Sequence, residues 1–156
     1  MLTIYQAETS RQIAVARELM LEYAAAMNFS LCFQNFDEEL RTLPGKYAPP
    51  EGRLLLADWD RQTAGVVALR PLAGAEVCEM KRLFVRPAFR GKALGQALAG
   101  EVIRQAAAIG YTRMRLDTVQ GIMDPAIQMY RRLGFREIPA YYSSPVRETL
   151  FMELAL

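Results

Sequence analysis

Two short stretches of this sequence carry residue types and spacings that could do chemistry. The first is Arg90-Gly91-Lys92-Ala93-Leu94-Gly95, between a segment that reads as a strand and one that reads as a helix. Small residues at such a junction let the backbone approach a ligand closely. The first amides of the helix have no internal acceptor and, with the helix dipole, favour an anion such as a pyrophosphate. Arg90 and Lys92 add positive charge at the mouth. Neither Gly-x-x-x-x-Gly-Lys-Ser/Thr nor a three-glycine dinucleotide fingerprint is present, so two familiar phosphate loops are set aside. A basic surface turn is the alternative reading of the same residues. The second stretch is Ala126-x-x-x-Tyr130-x-x-x-Gly134-Phe135, with a tyrosine one turn before a helix end. Ala126, Met129, Tyr130 and Leu133 share one helix face, so a core aromatic is the alternative to a chemical role.

The chain contains no histidine. Ser-His-Asp and Cys-His catalysis therefore cannot be built, and His-ligated zinc is excluded. Cys32 and Cys78 lack any motif spacing and read as free, buried or half-buried thiols, with no metal site expected. Acid–base chemistry near neutral pH is left to carboxylates, Tyr, Lys, Cys or water. A length of 156 residues fits one domain, 1–156, and a hydrophobic share of 52% is enough for a core. The net charge of +2 is spread along the chain, so neither a nucleic-acid arm nor a membrane patch is expected. No apolar run spans a bilayer and the N-terminus lacks a signal-peptide pattern, which gives a cytoplasmic expectation.

The elements that must position these stretches follow from periodicity and breakers. Leu2 to Ala7 reads as a first strand. Thr9-x-x-Gln12 is a capping-box pattern opening a helix with apolar residues at Ile13, Ala16, Met20, Tyr23 and Met27. Asn35 is placed to cap a short second helix with Asp37, Glu38 and Glu39 in its first turn. The prolines of residues 43–50 force a loop. Strands are expected at Arg53 to Trp59, Ala64 to Leu69 and Glu76 to Val85, the first two joined as a hairpin. A helix from Leu94 to Ile109, a strand from Met114 to Thr118 and a helix from Pro125 to Leu133 follow, with Gly134 as a left-handed cap. Phe135 to Ile138 and Glu148 to Leu154 close the chain as strands. The order β-α-α-β-β-β-α-β-α-β-β predicts a mixed α/β domain around one sheet.

Together, the two motifs in this element order resemble the GNAT superfamily of acyl-CoA-dependent N-acetyltransferases. Arg90, Ala93 and Gly95 match the family's Arg/Gln-x-x-Gly-x-Gly/Ala loop, and Tyr130, Gly134 and Phe135 match its Tyr-x-x-x-Gly-Phe helix end. Ala93 departs from the usual glycine but keeps its N–H. In a left-handed conformation it would cost roughly 1–2 kcal/mol. Met123 stands where many members have Asn.

The resemblance implies an α+β fold with a mostly antiparallel central sheet flanked by helices. It implies an acyltransferase moving an acetyl group from acetyl-CoA to a primary amine of a small molecule or peptide. An acyl-CoA-binding module with little catalysis is the alternative, and a phosphate patch of Arg82, Arg86, Arg90 and Lys92 is a weaker third. By the same resemblance, Arg90, Gly91, Lys92, Ala93, Leu94, Gly95 and Gln96 would hold the pyrophosphate, and the backbone of Leu83, Phe84 and Val85 the pantetheine. Tyr130 would also contact the cofactor and act as general acid toward the departing thiolate. Glu79 would be the base, with deprotonation through water as the alternative and a salt bridge to Lys81 or Arg82 as the other reading of Glu79; plain strand alternation would put it on one face with Lys81, Leu83 and Val85. Tyr23 and Phe33, in an aromatic stretch that also holds Phe29 and Phe36, are expected to line the acceptor pocket, with Tyr141 of a late loop closing its other side. A homodimer through the C-terminal strands is compatible with the family.

Overall fold

The computed structural model describes residues 1–27, 31, 35–74 and 76–156. Cys32, Phe29 and Phe33 lie outside the described residues. The chain forms β1 (Leu2–Gln6), α1 (Ser10–Ala25), α2 (Phe36–Arg41), β2 (Arg53–Trp59), β3 (Gln62–Pro71), β4 (Val77–Val85), α3 (Leu94–Ile109), β5 (Arg113–Val119), α4 (Asp124–Leu133), β6 (Arg136–Ile138) and β7 (Thr149–Ala155). This is the predicted element order, with boundaries moved by a residue or two. The strands lie in the order β1-β2-β3-β4-β5-β7-β6. Every neighbouring pair is antiparallel except β4 and β5, which run parallel across the α3 crossover.

Local chemistry explains most of the boundaries. The Gln12 amide donates to Thr9 Oγ1 and the Thr9 amide to Gln12 Oε1, each at 3.1 Å, so the capping box starts α1. Asp60 and Arg61 have φ of 49° and 69° and join β2 to β3 in a two-residue turn. Gly134 closes α4 at φ 107°. Asn35 differs from its expected role: it precedes α2 at φ 55° and its side chain makes no capping bond. Asn tolerates the left-handed region, and here it turns the chain instead of capping the helix.

Each face of the sheet has its own core. Leu55, Val67, Leu69, Cys78, Met80 and Met114 pack with Leu98, Val102, Met129 and Tyr130 of α3 and α4. Leu54, Leu56, Val66, Ala68 and Phe84 pack with Leu19, Met20 and Leu40 of α1 and α2. Each fully buried leucine contributes about 1.5–3 kcal/mol. Cys78 is buried and free, and burial pushes its thiol up to about 12. Among the described residues no helix is long and apolar enough to cross a membrane.

Two features of β4 shape the open end of the sheet. Its parallel pairing with β5 runs only from Val77–Arg113 to Glu79–Arg115. Beyond Glu79 the strands diverge, while β4 continues to Val85 against β3. The register with β3 also slips between Val66 and Ala68, and Arg82 opposite the slip has φ 61°. This is a β-bulge, which inserts one residue and reverses the alternation after it. The expected common face of Glu79, Lys81, Leu83 and Val85 is therefore overturned. Leu83 and Val85 pack on the α3 core, as Cys78 and Met80 do before the bulge. Glu79 and Lys81 take the opposite, α1 side.

Candidate active site

The loop before α3 is built to present backbone donors. Arg90 leaves a short 3-10 turn, Pro87–Phe89, in an extended conformation. Gly91 then adopts φ 84°, a value that favours glycine. Ala93 precedes α3 at φ 60° and ψ 26°, in the left-handed region, and offers no capping side chain. The first helical bond of α3 runs from the Ala97 amide to the Ala93 carbonyl at 3.1 Å. The amides of Leu94, Gly95 and Gln96 are thus left without helical acceptors. Arg90 Nε donates to the Val85 carbonyl at 3.1 Å, tying the loop to the end of β4. Lys92 Nζ lies 5.3 Å from the Trp59 ring centroid. The other two arginines of the expected patch are committed elsewhere. Arg82 makes 2.9 Å bonds from Nε and Nη2 to Glu39, and Arg86 binds Glu22 at 3.0 and 2.7 Å.

Where β4 and β5 part, a cleft is lined by Tyr23, Met80, Lys81, Arg82, Leu83, Leu116, Asp117, Met123 and Tyr130. Tyr130 reaches it from α4 and packs edge-on against Phe135 at 5.6 Å. Burial first, then the nearby Tyr23 and Asp117, raises the Tyr130 phenol well above its ordinary value. It therefore keeps its proton at neutral pH. Tyr23 is half-buried, and burial raises its phenol too.

A second cavity, of about 340 Å³, adjoins this cleft and shares Lys81 and Arg82 with it. Glu79 and Tyr141 line it. Arg70, Lys81, Arg82, Glu39 and Glu79 make it strongly charged. Phe36 lies in the core under the Arg82 guanidinium, 5.0 Å from it. Glu79 is 1% exposed and both of its oxygens are engaged. Arg70 Nε and Nη2 hold Oε1 at 2.8 Å, and the Tyr141 hydroxyl donates to Oε2 at 2.5 Å. Burial and that carboxylate raise the Tyr141 phenol.

Asp117, on β5, was not singled out by the sequence. Its Oδ2 receives the Tyr142 hydroxyl in a short bond and lies 3.6 Å from Lys81 Nζ. Its Oδ1 carries no hydrogen bond from the described residues. Lys81 is 5% exposed, and burial lowers its pKa while Asp117 works against that. The sequence signal that could have found this cluster is Glu79-x-Lys81-Arg82 inside an apolar strand, since such residues are almost never buried unless paired. Among the described residues no group of three His, Cys, Asp or Glu is placed to hold a metal.

Both the sequence and the fold are similar to known proteins. The model of the acetyltransferase (GNAT) family matches residues 13–135. An uncharacterised N-acetyltransferase of Schizosaccharomyces pombe is 40% identical over 139 residues, covering 88% of this chain and 85% of that protein. The crystal structure of an acetyltransferase from Streptococcus agalactiae superposes with a TM-score of 0.79 at 20% identity, covering 99% of this chain and 98% of the other. A GNAT family acetyltransferase from Elizabethkingia anophelis, crystallised with acetyl-CoA bound, gives 0.71 at 20% identity and covers 99% and 98%. The loop at Arg90 to Gly95, the parting of β4 from β5 and Tyr130 are therefore parts of an acyltransferase, and the chain belongs to the GNAT acetyltransferase family.

Proposed function

We propose that this protein transfers an acetyl group from acetyl-CoA to a primary amine of a small molecule or peptide. The observation that carries the reading is the cleft at the β4–β5 parting, which brings Tyr130 and Asp117 into one space beside the end of β4. The amides of Leu94, Gly95 and Gln96 suit a pyrophosphate, with Arg90, Gly91, Lys92 and Ala93 forming the turn around it. A Cβ added at Gly95 would meet only ordinary contacts, 3.9 Å to Val85 and 4.0 Å to Met129, so packing within the protein does not itself demand glycine there. Leu83, Phe84 and Val85 present a strand edge that β5 no longer pairs, available to hydrogen-bond the pantetheine and the acetyl oxygen.

In the reaction the amine nitrogen bonds to the acetyl carbon, the carbon–sulfur bond breaks, and a proton passes from amine to base. Tyr130 supplies the proton that the thiolate takes up, since its phenol lines the cleft and is protonated at neutral pH. For the base, Asp117 is better supported than Glu79. Asp117 shares the cleft with Tyr130 and has Oδ1 uncommitted among the described residues, whereas Glu79 has both oxygens bonded and lines the outer cavity. Tyr23 forms part of the acceptor side of the cleft, and Tyr141 holds Glu79 in place.

Acetyl-CoA titration followed by thermal unfolding, with thiol release measured across an amine panel, tests the reading. A rise in melting temperature together with release is the expected result. Absence of any shift at millimolar acetyl-CoA would overturn it. A shift without release from any amine would leave a binding module.

A further inference from the structure

We propose that Tyr142 is a positioning residue for acetyl transfer, holding one oxygen of Asp117 so that the other is left for the amine. This rests on the acetyl-transfer reading with Asp117 as its base. Tyr142 lines the charged outer cavity, whereas Asp117 lines the cleft that holds Tyr130. The Tyr142 hydroxyl donates a short bond across that boundary to Asp117 Oδ2. Tyr142 therefore acts on the reaction through that carboxylate.

The need for such a hold follows from where Asp117 stands. β5 loses β4 as a neighbour after Arg115, two residues earlier. On its other side Asp117 pairs with Phe151 of β7. A carboxylate beside an open strand edge can turn about its side-chain torsions, and a half-turn of the last one exchanges its two oxygens. A second neighbour of Oδ2, Lys81 Nζ, stands at 3.6 Å, beyond hydrogen-bond length. The bond from Tyr142 is the shorter and the directional one.

Two rings hold Tyr142 in turn. It packs edge-on against Phe151, the residue opposite Asp117, at 5.0 Å, and against Tyr141 at 5.6 Å. Tyr141 packs on the same Phe151 at 5.1 Å and donates to Glu79. Farther along the loop, Ser144 Oγ lies 2.8 Å from Thr149 Oγ1 and accepts from the Val146 amide at 3.1 Å. The hydroxyl thus reaches Asp117 from a ring that packing has already placed, which is what a supporting residue needs. Burial first, then Asp117, raises the Tyr142 phenol, so it remains a donor at neutral pH.

The test measures thiol release from acetyl-CoA by the full chain, with the fastest acceptor among benzylamine, ethanolamine, putrescine and the free amino acids. Tyr142→Phe keeps the ring and removes the hold. Its kcat should fall about tenfold, part of the roughly hundredfold or more that general base catalysis supplies. KM for acetyl-CoA and for the amine should stay within about twofold. A group that acts through Asp117 has nothing to act on once Asp117 is replaced. In the Asp117→Asn background Tyr142→Phe should therefore change kcat by less than about twofold, a strongly non-additive cycle. Tyr141→Phe, which cuts the bond from the same loop to Glu79, should cost less kcat than Tyr142→Phe. An unchanged kcat, a loss carried by KM, the same fall in both backgrounds, or an equal loss for Tyr141→Phe would overturn the assignment. The reading beneath it fails separately. An Asp117→Asn variant as active as the parent would remove Asp117 as base, and a parent chain that releases no thiol with any of these amines would remove acetyl transfer; either takes the role of Tyr142 with it.

Discussion

Asp117 and Tyr130 line one cleft from different elements, β5 and α4, and the Asp117 charge helps to keep the Tyr130 phenol protonated. In the proposed reaction the carboxylate of this pair would take a proton and the phenol would give one. Tyr130→Phe removes only the phenolic hydroxyl. Its turnover should fall about a hundredfold, within the range of general acid catalysis. The melting-temperature rise with acetyl-CoA should persist, because the ring and the α3 amides remain. Stopped-flow or steady-state thiol release measures the first, and thermal unfolding the second. Unchanged turnover would remove Tyr130 from the acid role.

Asp117→Asn and Glu79→Gln separate the two carboxylates. Asp117→Asn should lower kcat about a hundredfold. Glu79→Gln removes the anion held by Arg70 and Tyr141 and should cost about 2 kcal/mol of stability, with a smaller loss of kcat. Denaturant melts and initial rates on both variants give the comparison. A larger rate loss for Glu79→Gln at retained fold would return the base role to Glu79.

The two carboxylates also show where the sequence was readable. The order of elements, the capping box at Thr9 and the cap at Gly134 follow from local patterns. The turn at Arg90 to Gly95 and the Tyr130 helix end could be placed because their chemistry is local too. Asp117 could not be found this way: it gains its position only because β4 leaves β5 after Glu79 and Arg115. The bulge at Arg82 left no mark in the sequence, as an arginine at positive φ looks like any other arginine. One inserted residue then changed which face Glu79 occupies relative to Val85. The charged cavity draws its wall largely from β3, β4 and the Tyr141–Tyr142 loop, which only the fold brings together.

Buried tyrosines set the alkaline limit. Burial raises the phenols of Tyr47, Tyr130, Tyr141 and Tyr142 above the unfolded value of about 10. Their contribution is fully present below pH 10. Above it the unfolded chain releases phenolic protons that the native state retains, so stability falls as pH rises. Each such phenol adds up to about 1.4 kcal/mol per pH unit to the slope. Denaturant melts between pH 8 and 11 should show the loss. Tyr130→Phe should flatten it by about one proton, and an unaltered slope would mean that Tyr130 ionises normally in the folded protein.

Ala93 holds a strained turn that one substitution can relax. It stands at φ 60°, where an L residue with a Cβ is strained by roughly 1–2 kcal/mol and glycine is not. Glycine gives back about 0.5–1 kcal/mol through its larger unfolded-state entropy. Glycine is also the better residue at a helix N-cap that makes no side-chain bond. Ala93→Gly should therefore stabilise the protein by about 1 kcal/mol, or raise its melting temperature by about 2–4 °C. The backbone N–H is the same in both, so acetyl-CoA affinity should stay within about a factor of two. A lower melting temperature would show that the left-handed turn is not strained by Ala93. A large gain in affinity would show instead that its Cβ crowds the pyrophosphate, and that this loop trades cofactor binding for a residue it could replace.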